Sequence, residues 1–153
     1  MTKVWGPHVW TFLHCFCEKL NNNFFNLNKM EIIIFIKTIM FNLPCPLCSN
    51  DTIIKFKMVN YKKIKTKDEL KMLIFYYHNN VNKKLKKKKA NIEILEKYKN
   101  YNIYKCYKKF LNVYAKRYKF KLNVYSHTFL GKRNIATRNI IKWWNINHKK
   151  CFN

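Results

Sequence analysis

Glycine and proline are almost missing from this chain, with 2 Gly and 3 Pro in 153 residues. β-Sandwiches and Rossmann folds need glycine at their turns, so the scarcity excludes them and favours a helical protein. Acidic residues are also few, 7 against 32 basic, for a formal net charge of +25. Long apolar runs are lacking: Ile32-Ile33-Ile34-Phe35-Ile36 ends at Lys37, too short for a membrane span. Met1 to Trp10 contain Gly6, Pro7 and His8 and no apolar core, so they do not read as a secretory signal. The expectation is a soluble protein made in the cytosol. In that setting six cysteines point to redox or metal chemistry rather than a disulfide framework.

What is abundant is apolar and basic. Hydrophobic residues make up 48% and aromatics 17%, too much for a disordered chain. Charge is unevenly spread, with about +6 on residues 1–80 and +19 on residues 81–153. A half this basic suits nucleic acid, anionic lipid or an acidic partner. Lys, Asn, Ile, Phe and Tyr all have AT-rich codons, so the excess also fits compositional drift. Residues 81–153 interleave Lys with Tyr, Phe and Trp, as single-strand binders do. Tyr107, Phe110, Leu111, Tyr114 and Tyr118 fit a helix core stripe at least as well.

Apolar spacing predicts a first helix over His8–Leu20, with Pro7 at its first turn, then a loop at Asn21–Asn23. A second helix is predicted over Asn28–Asn42, stopped by Pro44. A third opens at Pro44-Cys45-Pro46-Leu47-Cys48 and runs to Met58. Thr66-Lys67-Asp68-Glu69 reads as the N-cap of a fourth, reaching Lys86. A short helix from Asn91 to Tyr98, a longer one over Ile103–Tyr118 and a last over Asn134–Asn145 follow. Residues 119–133 read as irregular, with Gly131 at a turn.

Cys45 and Cys48 at a helix start bring two sulfurs within bonding distance. The free N–H groups there stabilise a thiolate, the reactive species. By itself the spacing leaves redox, zinc and chance open. A zinc site needs two further ligands, and Cys15 with Cys17 is a poor pair because i,i+2 side chains point apart on a helix. Trp10 and His14 are i,i+4 and share a face, an indole beside an imidazole that would wall a pocket for a planar ligand. His78 and Asn82 are again i,i+4, with Asn79 on the next row. These polar groups on an otherwise apolar helix need hydrogen-bond partners, in the protein or on a ligand.

The patterns WGPxxWxxLH from Trp5 to His14, PCPxC from Pro44 to Cys48 and HNxVNxxL from His78 to Leu85 stand in one order and spacing. Together they resemble the Erv/Alr sulfhydryl oxidases, most of all the forms encoded by large DNA viruses. The resemblance implies an all-α fold, a four-helix bundle with a short fifth helix that holds FAD, usually as a homodimer. It divides the chain into an oxidase domain over residues 1–100 and a basic, aromatic-rich helical extension over residues 101–153. It implies that Trp10 and His14 pack on FAD and that Gly6 allows close approach. His78, Asn79 and Asn82 would contact the adenine and ribose, and Lys83 and Lys87 the phosphates. Cys48 would face the flavin, and Cys45 would exchange with thiols of substrate proteins. Oxygen would be the final acceptor, giving peroxide, and no metal is implied. A viral enzyme of this kind would act in the host cytoplasm or on virion proteins.

The chain also departs from the family. HNxVNxxLGKP becomes Leu85-Lys86-Lys87-Lys88, losing both Gly and Pro, and no cysteine lies in Ala90–Ile94 to pin the fifth helix. Family members often carry a second cysteine pair on a flexible tail. The candidates here are Cys15, Cys17, Cys106 and Cys151. Cys151 is two residues from the last residue, where tails are mobile, and is read as a shuttle against the plainer alternative of an inert cysteine. A nucleic-acid-binding or scaffold protein on a degenerate oxidase fold is the competing function.

Overall fold

The computed structural model describes residues 2–118 and 125–152. Six α-helices run α1 (Thr2–Lys19), α2 (Asn22–Phe41), α3 (Pro46–Lys57), α4 (Lys67–Lys84), α5 (Ile103–Tyr114) and α6 (Tyr125–Cys151). Short 3₁₀ segments at Tyr61–Lys63 and Ile92–Asn100 complete the order. Among the described residues there is no strand, and no helix is long and apolar enough to cross a membrane.

Local chemistry explains most of the boundaries. Asn21 caps α2, its side-chain oxygen accepting from the N–H groups of Asn23 at 2.8 Å and Phe24 at 3.1 Å. The helix therefore begins in the predicted loop. The predicted start, Asn28, is instead a kink with φ −125° and ψ 23°. The Asn28 amide donates to the carbonyl of Phe24 at 3.0 Å, a local bond of the kind that competes with the helical ladder. Thr66 and Glu69 form the expected capping box on α4. Pro7 lies inside α1 rather than at its first turn, because the helix starts at Thr2.

α4 ends through a less usual device. Leu85 is its C-cap, and Lys86 follows at φ 55°, in the left-handed region that favours glycine. Lys86 stands where the HNxVNxxLGKP pattern has glycine, a residue that adopts this conformation at no steric cost.

α1 is the central helix, packed against α4, α5 and the Ile92–Asn100 segment, while α2 packs on α3 and α6. Phe12, Leu13 and Phe16 of α1 are fully buried. Phe12 stacks on Phe110 of α5 at 4.6 Å between centroids, and Tyr107 stacks on Trp144 of α6 at 3.8 Å. Such pairs add about 0.5–1.5 kcal/mol each beyond the area they bury. α5 and α6 therefore share one core with the helices before them. Tyr107, Phe110 and Tyr114 are buried in it, so these rings are not free platforms for bases.

The irregular stretch read for residues 119–133 falls partly outside the described residues. The described part is helical: α6 starts at Tyr125 and runs through Gly131 to Cys151. Gly131 costs α6 about 1 kcal/mol of helix propensity, which the tertiary burial of Ala136, Ile140 and Trp144 outweighs.

Candidate flavin and disulfide site

Pro44 and Pro46 frame the start of α3, and Pro46 sits at a first-turn position where no N–H is required. Cys45 caps the helix: its sulfur accepts the Cys48 N–H at 3.2 Å. Cys45 and Cys48 are joined as a disulfide, with Cα atoms 5.2 Å apart. Both sulfurs are half-buried on the wall of a cavity of about 530 Å³. The remaining walls come from α1, α4, the end of α2 at Met40 and the Ile92–Asn100 segment.

Behind the disulfide, the Thr52 hydroxyl donates to the Cys48 carbonyl at 2.8 Å and lies 2.7 Å from the Tyr77 hydroxyl. This chain ties the redox turn to α4. In the same cavity the Trp10 and His78 rings stack at 4.0 Å and 5°. His78 Nδ1 lies 2.9 Å from His14 Nε2, so one imidazole donates to the other. Burial pushes the His14 imidazole down to about 3, with His78 and Lys97 adding to it. Burial likewise lowers His78 to about 4, helped by Lys87 and Lys97. Both rings are neutral at pH 7, which leaves one hydrogen to share between them.

Of the residues singled out in the sequence, Gly6, Trp10, Cys45, Cys48, His78, Asn82 and Lys87 line the cavity. His14 stands one layer back, behind His78. Asn79 is spent elsewhere: its amide donates to the Ala90 carbonyl at 3.1 Å and its oxygen accepts the Ala90 N–H at 2.9 Å, fastening the Lys86–Asn91 connection to α4. Lys83 points to solvent, and its neighbour Lys84 lines the cavity, donating to Asp51 at 2.9 Å. Cys151 is not on a free tail. It is fully buried at the end of α6, its carbonyl accepts the Asn21 N–H at 2.7 Å, and burial pushes its thiol up to about 12. Trp5, Tyr77, Tyr98 and Lys97 also line the site. Trp5 opens the first motif without a role assigned to it, and spacing does not single out Tyr77, Tyr98 and Lys97, because each reads as an ordinary core or surface residue.

The donor set fits FAD. A cavity of this size is in the range of cofactor sites. Its flat aromatic walls suit a ring system. No heavy atom lies within 4 Å of where a Cβ on Gly6 would stand, so that buried backbone faces open space. The buried Trp5 Nε1 has no hydrogen-bond partner among the described residues, and a ligand acceptor would satisfy it. Lys84, Lys87 and Lys97 supply positive charge for a pyrophosphate. Among the described residues no three His, Cys, Asp or Glu side chains cluster so as to hold a metal.

Comparison with known proteins agrees with this geometry. The pattern of the Erv1/Alr family matches residues 7–102. Two FAD-linked sulfhydryl oxidases of African swine fever virus, from isolates Tick/Malawi/Lil 20-1/1983 and Pig/Kenya/KEN-50/1950, are each 30% identical over 84 residues. Those residues are 55% of this chain and 70% of each relative. No solved structure gives a significant match. The matched span is more than half of the chain and includes both cysteines of the disulfide with Trp10 and His78, and so the chain belongs to the Erv1/Alr family.

Proposed function

We propose that in this FAD-linked sulfhydryl oxidase Cys45 and Cys48 carry electrons from substrate thiols to FAD held in the α1–α4 cleft. The observation that supports the reading is the placement of the disulfide on the wall of a cavity that also gathers Trp10, His78 and the lysines. A substrate thiolate attacks the Cys45 sulfur, forming a mixed disulfide and breaking the Cys45–Cys48 bond. Cys48 leaves as a thiolate at the α3 N-terminus, where the free N–H groups and the helix dipole favour negative charge. A second substrate thiolate attacks the substrate sulfur of the mixed disulfide and releases Cys45, whose sulfur keeps its N–H donor from Cys48. The substrate leaves as a disulfide, and the dithiol holds the electron pair. FAD, when bound, supplies acceptance of that pair and its delivery to oxygen as peroxide. The protein's part is to hold the sulfurs against the cleft, keep the imidazoles neutral and exclude water.

Leu47, between the two cysteines, is 80% exposed, which favours a protein substrate that covers it as its thiol approaches. Leu27, Met30 and Ile34 form an exposed apolar row along α2, consistent with the homodimer implied by the family. Cys48→Ser tests the mechanism: it should abolish thiol-dependent oxygen uptake with dithiothreitol while the protein keeps its flavin absorbance. Full activity in that variant ends the proposal.

A further inference from the structure

α1 and α5 meet along their lengths, and one point of contact is a pair of thiols. Cys15 is fully buried, Cys106 is 8% exposed, and both are reduced. Each thiol lies within electrostatic reach of the other, and the Cys15 thiol is 3.9 Å from the carbonyl of Tyr101, which lines the same cleft as Cys106. Neither takes part in the reaction at α3. A cleft of about 310 Å³ reaches Cys106 and not Cys15. Its lining includes His8, Tyr101, Lys105 and Lys109. Cys106 is therefore the reachable sulfur, and the lysines favour a reagent carrying carboxylates.

We propose that Cys15 and Cys106 are a second redox pair, closed by a small carboxylate-bearing disulfide into a covalent tie between α1 and α5. Burial pushes Cys15 up to about 12, with Cys106 adding to it. Burial also raises Cys106, but the neighbouring Cys15 thiol and the charge of Lys109 work against that, and Cys106 is the one that the cleft reaches, so Cys106 is the nucleophile. The Cys106 thiolate attacks the small disulfide. One mixed disulfide forms, the small disulfide's S–S bond breaks, and one small thiolate leaves and takes up the proton Cys106 has lost. Cys15 then loses its proton and attacks the Cys106 sulfur. The Cys15–Cys106 bond forms as the second small thiol departs with that proton. Two protein thiols are oxidised, and one small disulfide is reduced to two thiols. The oxidant belongs to the product class of a thiol oxidase. The tie would join the family domain to helix α5, which lies beyond the family match at residue 102.

The full-length flavoprotein is incubated with oxidised glutathione, unfolded, alkylated and mapped by mass spectrometry. The expected result is one cross-linked peptide pair, placed by fragmentation at Cys15 and Cys106, with Cys17 and Cys151 still alkylated. Cys106→Ser should leave Cys15 alkylated. A Lys105→Ala variant should form the tie several-fold more slowly with oxidised glutathione, with no change for uncharged hydroxyethyl disulfide. Cys48→Ser should form it as wild type does, which separates this pair from the α3 disulfide. Alkylation of Cys15 and Cys106 to the same extent as Cys17 and Cys151 would overturn the proposal, as would a link at Cys17.

Discussion

Arg133 makes the strongest test of how residues 101–153 serve the site. It is 4% exposed and its guanidinium donates to three carbonyls: Asn42 at 3.3 Å, Lys116 at 3.5 Å, and Tyr114. These are the unpaired carbonyls at and just beyond the C-termini of α2 and α5, so one side chain of α6 caps two helices. Arg133→Ala leaves the buried Tyr114 carbonyl unsatisfied, a cost of about 1–3 kcal/mol. The other two bonds are partly buried, and water replaces them in part, at about 0.5–1 kcal/mol each. The total is roughly 2–5 kcal/mol, which in a chain of this size lowers the melting midpoint by about 5–15 °C. Arg133→Lys keeps the charge without the planar fork and should fall between. Arg138→Ala, exposed on the same helix, is the control and should change stability by less than about 0.5 kcal/mol. Asn42 stands three residues before Cys45, so loosening it should also lower oxygen uptake per bound flavin. Differential scanning calorimetry and an oxygen electrode read both effects. An Arg133→Ala protein that melts with the Arg138→Ala control would refute the capping argument.

Lys86→Gly relieves a left-handed lysine and should stabilise the protein by about 1 kcal/mol, seen as a raised denaturation midpoint. An unchanged or lowered midpoint would mean that the lysine side chain compensates its backbone. The two buried imidazoles set an acid limit. Their folded values, about 3 for His14 and about 4 for His78, lie below the unfolded value near 6.5. The unfolded chain therefore binds more protons between those limits. The stability that neutral histidines allow is complete above about pH 6.5 and is lost as pH falls through 4 toward 3. Melting of the flavin-free protein followed from pH 7 to pH 4 should show this, and His78→Gln should flatten the curve. Parallel curves for the two proteins would contradict the burial argument.

Much of the site was legible because its chemistry is local. Two cysteines three apart after a proline define a helix start with both sulfurs together. Thr66 and Glu69 define a cap whatever surrounds them. Spacing of i and i+4 put Trp10 beside His14 and His78 beside Asn82, and three of those four line the cleft. It could not set how far each helix rotates against its neighbour. That rotation decides that Lys84 faces the cavity and Lys83 does not, and that Asn79 turns to Ala90. It also places His14 behind His78, at hydrogen-bond distance. Tyr98 gave no signal, since a buried ring on an apolar stripe looks the same whether it borders a ligand or another ring.

By itself the sequence determined the helical class, the sulfur pair at a helix tip and the family, since these depend on neighbours a few residues apart. The tertiary structure decided what lies between helices. It drew α5 and α6 into the core, buried Cys151 where a tail was expected, and brought Cys15 to Cys106. The physical reason is that burial and pairing across 91 positions of chain arise from packing, which no local spacing encodes.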